Sequence, residues 1–276
     1  MTIREMAEQH LLPQPLKVPK SITRVVVHDG IFHADDVFCV ALLKECYDEN
    51  IVVKRVPHNA NFDKYGMDTL ICDVGNEYDG QYKFDHHQIP ARHLKTTELR
   101  AAIGLLWDSY GNELYHRTTS LFHDIDKHDN NSKQFRSQLC VTIGAFNPDW
   151  TANDKERDTC FDMAVNVARQ LIRASIVSDT YNMRAYREIS ENSHIENDIL
   201  FLETKAPYEH IINYYPEVVM VARKQNGVFK LKAVNNYCFD PKWSGNPPLP
   251  NMSMSNWIVT CKDLSTVHKL KEIITN

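Results

Sequence analysis

Arg24-Val25-Val26-Val27-His28-Asp29-Gly30-Ile31-Phe32-His33-Ala34-Asp35-Asp36 is the stretch whose reading decides the fold. The apolar run predicts a strand over 23–27. A short loop follows, and from Ala34 to Tyr47 the apolar positions Val37, Val40, Ala41 and Cys46 recur at helical spacing. Asp35 and Asp36 sit in the first turn of that helix, where acidic side chains suit the dipole. Strand, loop and helix in this order predict a parallel α/β sheet.

Outward from this unit, strands are expected over Ile51–Val56, Thr69–Asp73 and Tyr82–Phe84. Glu98–Tyr110 carries Leu99, Ala102, Ile103, Leu106 and Trp107 on one face and stops near Gly111, the pattern of a sheet-covering helix. Asp124 to Asn130 reads as a loop with acidic residues and a histidine, and Lys155–Ile189 as a long helix. From Asn192 a second unit begins. Its runs Val218–Ala222 and Val228–Val234 flank Asn226-Gly227, a strong hairpin signal. Trp243–Pro250 reads as a loop, Trp257–Cys261 as a strand and Ser265–Ile274 as a closing helix. The expected architecture is an α/β domain with a parallel sheet and helices on both faces over 21–190, followed by a smaller α+β carboxyl-terminal domain over 191–276.

Composition narrows the function classes. The 276 residues are 43% hydrophobic and 24% charged, enough to bury a real core. No apolar run approaches the ~20 residues needed to span a bilayer, so no membrane partner is expected. Residues 1–20 show neither a secretory h-region nor an Arg-rich transit pattern, which predicts a cytoplasmic setting. Seven cysteines without a C-x-x-C pair read as reduced, mostly buried small hydrophobes. A net charge of -5 gives no global attraction to nucleic acid, leaving only local basic patches for a phosphate substrate.

The chemistry lies just past the strand ends. His28 and His33 flank a tight turn and Asp35 begins the next helix, so the three can converge on one point. Asp73 ends the third strand, and in an open parallel sheet ligands collect at the carboxyl ends of strands, so His28 and Asp73 should share a crevice. His86 leaves the fourth strand, and Asp126 or Asp129 closes the site from another loop. Each residue alone has an ordinary explanation: a histidine at a strand end is more often hydrogen-bonded or exposed, and Asp35 and Asp36 alone would be helix-start charges. Their joint placement after strands is the feature that points to a metal site. Imidazole and carboxylate without thiolate suit Mn²⁺, with Mg²⁺ or Co²⁺ as alternatives, and two such ions ~3.5–4 Å apart would clamp a phosphate.

The runs His28-Asp29-Gly30-x-Phe32-His33-x-Asp35, Asp73-Val74-Gly75-x-Glu77-Tyr78-Asp79 and Asp85-His86-His87-Gln88 resemble the signature of the melanocyte-proliferating-gene (MYG) family, a branch related to the DHH phosphoesterases. Gly104-Leu105-Leu106-Trp107, Asp126-x-x-Asp129-Asn130 and Asn147-Pro148-x-Trp150 continue the match in order. The resemblance implies a DHH-like catalytic domain and a metal-dependent phosphodiester hydrolase, a 3'-to-5' exonuclease acting on single-stranded RNA or short oligonucleotides. It also implies a ligand allocation. One cation takes His28, His33 and Asp73; the other takes Asp35, Asp73, His86 and Asp129, with Asp126 the runner-up. Asp73 would then serve catalysis as the shared ligand, with His87 outside the direct shell assisting the developing charge.

The chain departs from the family pattern at Trp257–Lys262, where a histidine and a Phe-Ile-Gly stretch are usual, and at Asn76 and Asp36. Substrate contacts are therefore expected from local basic residues: Arg223, Lys224, Lys230 and Lys232 on the hairpin, and Arg92 after the histidine pair. A lysine-protected strand edge explains the hairpin charges equally well. Two other readings stay open: a small-substrate phosphatase or pyrophosphatase, and a catalytically silent metal-binding interaction protein.

Overall fold

The computed structural model describes residues 14–88, 99–131, 133–209, 211–255 and 257–275. They divide into two compact units, Met1–Thr180 and Tyr181–Asn276. That division falls inside a long helix, ahead of the boundary expected near residue 190. The reason is local: Ala185 and Ile189 belong to the apolar cluster of the second unit.

In the first unit β1 (Arg24–His28), β2 (Val52–Val56), β3 (Thr69–Cys72) and β4 (Lys83–Phe84) form a parallel sheet in the order β2-β1-β3-β4. The chain runs from β1 to β2 on one side, then crosses to β3 on the other. This reversal opens a crevice at the carboxyl ends of β1 and β3, the usual ligand position in such sheets. The register pairs Arg24 with Thr69 and Val26 with Ile71, so carrying it two residues further brings His28 level with Asp73. Val25, Val26, Val27, Leu70 and Ile71 are buried, which fits the near-continuous apolar reading of parallel strands.

Five helices accompany the sheet among the described residues: α1 (Ala34–Cys46), α2 (Ala102–Tyr110), α3 (His116–Asn131), α4 (Gln138–Gly144) and α5 (Asp154–Glu191). Every residue of α1 from Ala34 to Leu43 is buried, including both aspartates, because α2, α3 and α4 all pack on it. Asp124–Asn130, expected as a loop, lies within α3. The sequence signal for α3 was weak because it is mostly polar: Thr118, Phe122, Ile125 and Asp126 are the buried positions. Its first turn is held from outside, since Asp179 accepts the backbone N–H groups of Arg117 and Thr118 at 2.9 and 3.0 Å. These are among the orphan donors that every helix start must satisfy.

The second unit is a six-stranded sheet in the order β5-β6-β7-β8-β10-β9. Its strands are β5 (Ser193–Glu196), β6 (Ile199–Leu202), β7 (Met220–Gln225), β8 (Val228–Ala233), β9 (Met252–Ser255) and β10 (Ile258–Cys261), with α6 (Leu264–Thr275) following. The expected hairpin is β7–β8, and both Asn226 (φ 53) and Gly227 (φ 79) adopt the left-handed backbone that its two-residue turn demands. Apolar clusters cover both faces, one with Ala185, Ile189 and Val221 and the other with Ala222, Leu231, Val267 and Leu270. No described helix is long and apolar enough to cross a membrane. All seven cysteines are free.

Candidate metal centre

His28 closes β1, and its ring is oriented by a bond between Nδ1 and the Asp29 carbonyl at 2.8 Å. With the proton on Nδ1, Nε2 is left as a lone-pair donor. That atom lies 3.3 Å from Asp73 Oδ2 and 3.2 Å from Asp36 Oδ2. Such a backbone-fixed tautomer is the usual state of a metal-ligating histidine.

Asp73 follows β3 in the left-handed region (φ 55), an uncommon conformation for a residue with a Cβ, although aspartate tolerates it better than most. The turn lifts its carboxylate into the crevice between two imidazoles. His86 Nε2 lies 3.4 Å from Asp73 Oδ1, 3.6 Å from Asp35 Oδ2 and 3.1 Å from Asp129 Oδ2. One imidazole nitrogen thus faces three carboxylates, from β3, α1 and α3.

Asp36, read from sequence as a helix-start charge, does that and more. Its Oδ1 accepts the His33 and Val37 N–H groups at 3.0 and 2.7 Å, while its Oδ2 turns to His28. The signal was present in sequence, one position after Asp35, but the capping role alone accounted for it.

Asp126 and Asp129 part company. Asp129 reaches His86, whereas Asp126 Oδ1 accepts the Ala101 N–H at 2.9 Å and Oδ2 pairs with Arg100 at 3.2 Å. Arg100 is also held by Asp108 at 3.0 Å. A Cβ on Gly104 would lie 2.2 Å from Asp126 Oδ1, so this glycine makes room for the buried carboxylate.

Four combinations bring three candidate ligand atoms within 4.8 Å of one another: His28, His33 and Asp73; Asp73, His86 and His87; His33, Asp35 and Asp129; and Asp35, Asp36 and Asp73. Asp35, Asp36 and Asp73 are 1%, 0% and 1% exposed. Both oxygens of Asp35 and of Asp73, Oδ2 of Asp36 and Nε2 of His86 are buried without a hydrogen-bond partner. Groups of this kind are normally paired, since an unpaired buried charge is costly. The residues present therefore fit divalent cations: hard carboxylate oxygens and neutral imidazoles converge, and the orphaned atoms are those a cation would satisfy.

Electrostatics in the metal-free protein carries the same strain. Burial pushes the Asp35 carboxyl well above its ordinary range, with Asp73 adding to the rise. Burial likewise raises Asp36 to about 7 despite the counteracting His28 imidazole. Burial alone would lower His28, but the Asp73 and Asp36 carboxylates beside its Nε2 carry it to about 9. Asp73 is held below the carboxylate range by His28 and His86, against a large burial penalty. Protons on the imidazoles stand in for the positive charge a cation would bring.

His87 lies at the edge. Its Nδ1 is 2.7 Å from Asp85 Oδ1, which also accepts the His87 N–H, while Asp85 Oδ2 accepts the Asn76 N–H at 2.6 Å. The bond to Asp85 raises the His87 imidazole. Its side chain is 53% exposed, so the ring is oriented from behind and open in front. His58, which carried no signal in the sequence, stacks on His28 with centroids 4.9 Å apart.

The basic hairpin is less free than its sequence suggests. Arg223 donates to the Ala206 carbonyl at 2.5 Å and lies 5.7 Å from the Tyr208 ring centre. Lys232 approaches Glu209 at 3.7 Å. The register places Arg223, Lys230 and Lys232 on one face and Lys224 on the other, where Lys224 lines a cavity of about 390 Å³ with His194, Phe201 and Phe229. Arg92 lies outside the described residues.

Residues 24–135 match the profile of MYG1_exonuc, described as an uncharacterised protein family (UPF0160). The MYG1 protein of Chlamydia trachomatis is 31% identical over 147 residues, covering 48% of this chain and 46% of the relative. The MYG1 exonuclease of Bos taurus is 23% identical over 199 residues, covering 56% and 51%. The chain thus spans about half the length of the curated relatives it matches. Among solved structures, the pGpG-specific phosphodiesterase PggH of Vibrio cholerae aligns over 91% of this chain and 97% of its own, with 17% identity and a TM-score of 0.33.

Proposed function

We propose that the protein, whose residues 24–135 match the MYG1 family model, is a metal-dependent phosphodiesterase of that family, an exonuclease acting on RNA or short oligonucleotides from the 3' end. One observation carries this reading: Asp35, Asp36, Asp73 and His86 present buried, unpartnered donor atoms to one crevice at the sheet's switch point. The name of the Bos taurus relative supports the exonuclease class.

In this reading His28 through Nε2, His33 and Asp73 hold one divalent ion, while Asp35, Asp73, His86 and Asp129 hold a second. Four carboxylates, those of Asp35, Asp36, Asp73 and Asp129, call for about four positive charges when the imidazoles are neutral, which favours two ions over one. Manganese is the preferred ion. Bound there, the pair supplies Lewis-acid charge to a phosphate oxygen and lowers the pKa of a coordinated water toward ~7.

The chain's own residues do the rest. Asp29 fixes the His28 tautomer, and Asp73 joins the two ligand groups. Asp85 orients His87, which presents Nε2 to charge developing on the scissile phosphate. Arg223 is committed to its own unit, so Lys230 is the hairpin cation left for a passing phosphate chain, with Lys224 on the opposite face.

The test is a manganese-replete hydrolysis panel of short RNA, short DNA, cyclic dinucleotides and diphosphate. Stepwise release of mononucleotides from RNA is expected. Turnover of diphosphate alone transfers the assignment to a small-substrate phosphatase, and metal uptake without turnover of any substrate makes the protein a silent metal binder.

A further inference from the structure

The metal-site reading leaves Asn147, part of the Asn147-Pro148-x-Trp150 motif, without a role. Asn147 Oδ1 accepts the Phe32 N–H at 3.0 Å, and its Nδ2 donates to the Phe32 carbonyl at 2.8 Å and to the Gly144 carbonyl at 3.1 Å. One side-chain amide thus replaces a β-ladder partner for a residue 115 positions away, immediately before His33. A second anchor holds the same loop two residues earlier. Arg55 Nη2 donates to the Gly30 carbonyl at 2.8 Å while its guanidinium lies 4.7 Å from the Phe161 ring centre and 3.1 Å from Asp158. Phe32 is fully buried and packs edge-on against Phe161 at 5.5 Å.

His33 itself is exposed; its ring stands at the start of α1, 5.8 Å from the His28 ring centre. Its reach toward Asp73 and His28 depends on where the backbone of Phe32 is held. We propose that Asn147 is a positioning residue: its amide clamps the 29–33 loop before any ion arrives, so that His33 is presented to the metal centre at no ordering cost. This rests on the metal-centre reading. A loop without the clamp must be ordered at the moment of binding, and that cost is subtracted from affinity.

Asn147→Asp tests it, because it keeps the shape and the acceptor but puts a carboxylate oxygen against the Phe32 and Gly144 carbonyls. The manganese dissociation constant is expected to rise about 10- to 100-fold, the range for losing an outer-shell hydrogen bond behind a metal ligand. The melting temperature of the metal-free variant should change little. Hydrogen exchange on metal-free wild-type protein supplies a readout that needs no variant: the Phe32 amide should be protected and the amide of the exposed residue Ile31 should not. Unaltered manganese affinity in Asn147→Asp, or an unprotected Phe32 amide in the wild type, overturns the positioning role alone. Absence of manganese uptake by the wild type overturns the metal centre and the clamp together.

Discussion

Two knots of buried charge lie one helical turn apart along α3. Around Asp126, every charge has a protein partner: Arg100 stands between Asp126 and Asp108, and the Ala101 N–H completes the carboxylate. Around Asp129, carboxylates from α1, β3 and α3 crowd one imidazole and leave buried oxygens bare. Burial of charge therefore does not identify a functional site; buried carboxylate oxygens left without a hydrogen-bond partner do. The first knot is complete as the chain folds, and the second waits for something from outside.

The sharpest way to break this contrast is to neutralise one member of each knot. Asp73→Asn should lower turnover of the substrate identified in the panel by on the order of 10³-fold, as for loss of a central electrostatic group. Its metal-free melting temperature should fall, since the Asp73 charge is the one that His28 and His86 compensate and its loss strips both imidazoles of their shared partner. Retained turnover at saturating manganese would end the catalytic reading of the crevice.

Asp126→Asn should cost stability alone. Urea unfolding is expected to show a loss of about 3 kcal/mol, the low end for breaking a buried pair because Asp108 still holds Arg100. Manganese affinity should be unchanged. A variant of full stability with impaired metal binding would make Asp126 the ligand after all.

Chelation and add-back sharpen the same contrast through pH. At 100 times the dissociation constant, manganese should add about 2.7 kcal/mol of stability. The proton that His28 holds up to about 9 must leave before Nε2 takes a cation, so affinity should fall steadily as pH drops from 9 toward 6. The sign for the metal-free protein is opposite. With its pKa raised above 6.5, His28 contributes stability below that value and loses it as pH rises through 9, while Asp36, raised to about 7, penalises the fold increasingly as pH climbs to 7. Thermal melts with and without manganese at several pH values should diverge as pH increases; parallel curves would remove the imidazoles from the ligand set.

The smallest effect belongs to the satisfied knot. Gly104→Ala places a methyl against Asp126 Oδ1 and should cost about 2 kcal/mol, within the range for overpacking. Wild-type stability in that variant would mean Asp126 has room to move and the knot is loose.

Legibility in the sequence divides along the same line. The β1–loop–α1 unit was legible because its apolar run and helical spacing are local signals; His28, His33, Asp73 and His86, which stand past strand ends, and Asp35, which starts α1, drew notice by that placement, and the fold brings their side chains together. Asp126 and Asp129 could not be separated, since they are three positions apart on one helix and differ only in meeting Arg100 or His86, both distant in sequence. α3 was misread as a loop because few of its residues are apolar. The strands β5, β6 and β9 went unread: four residues each, they carry little periodicity. Asp36 was missed as a member of the crevice because capping already explained it, and Asp85 because its partner His87 carried the stronger signal.

The positive φ of Asp73 carries one more consequence. Few side chains accept that backbone comfortably, so drift at position 73 is channelled toward asparagine and glycine, neither of which supplies an anionic oxygen. Relatives in which the proposed activity has been abandoned should therefore keep the turn and lose only the charge, leaving an Asn or Gly at the position of Asp73.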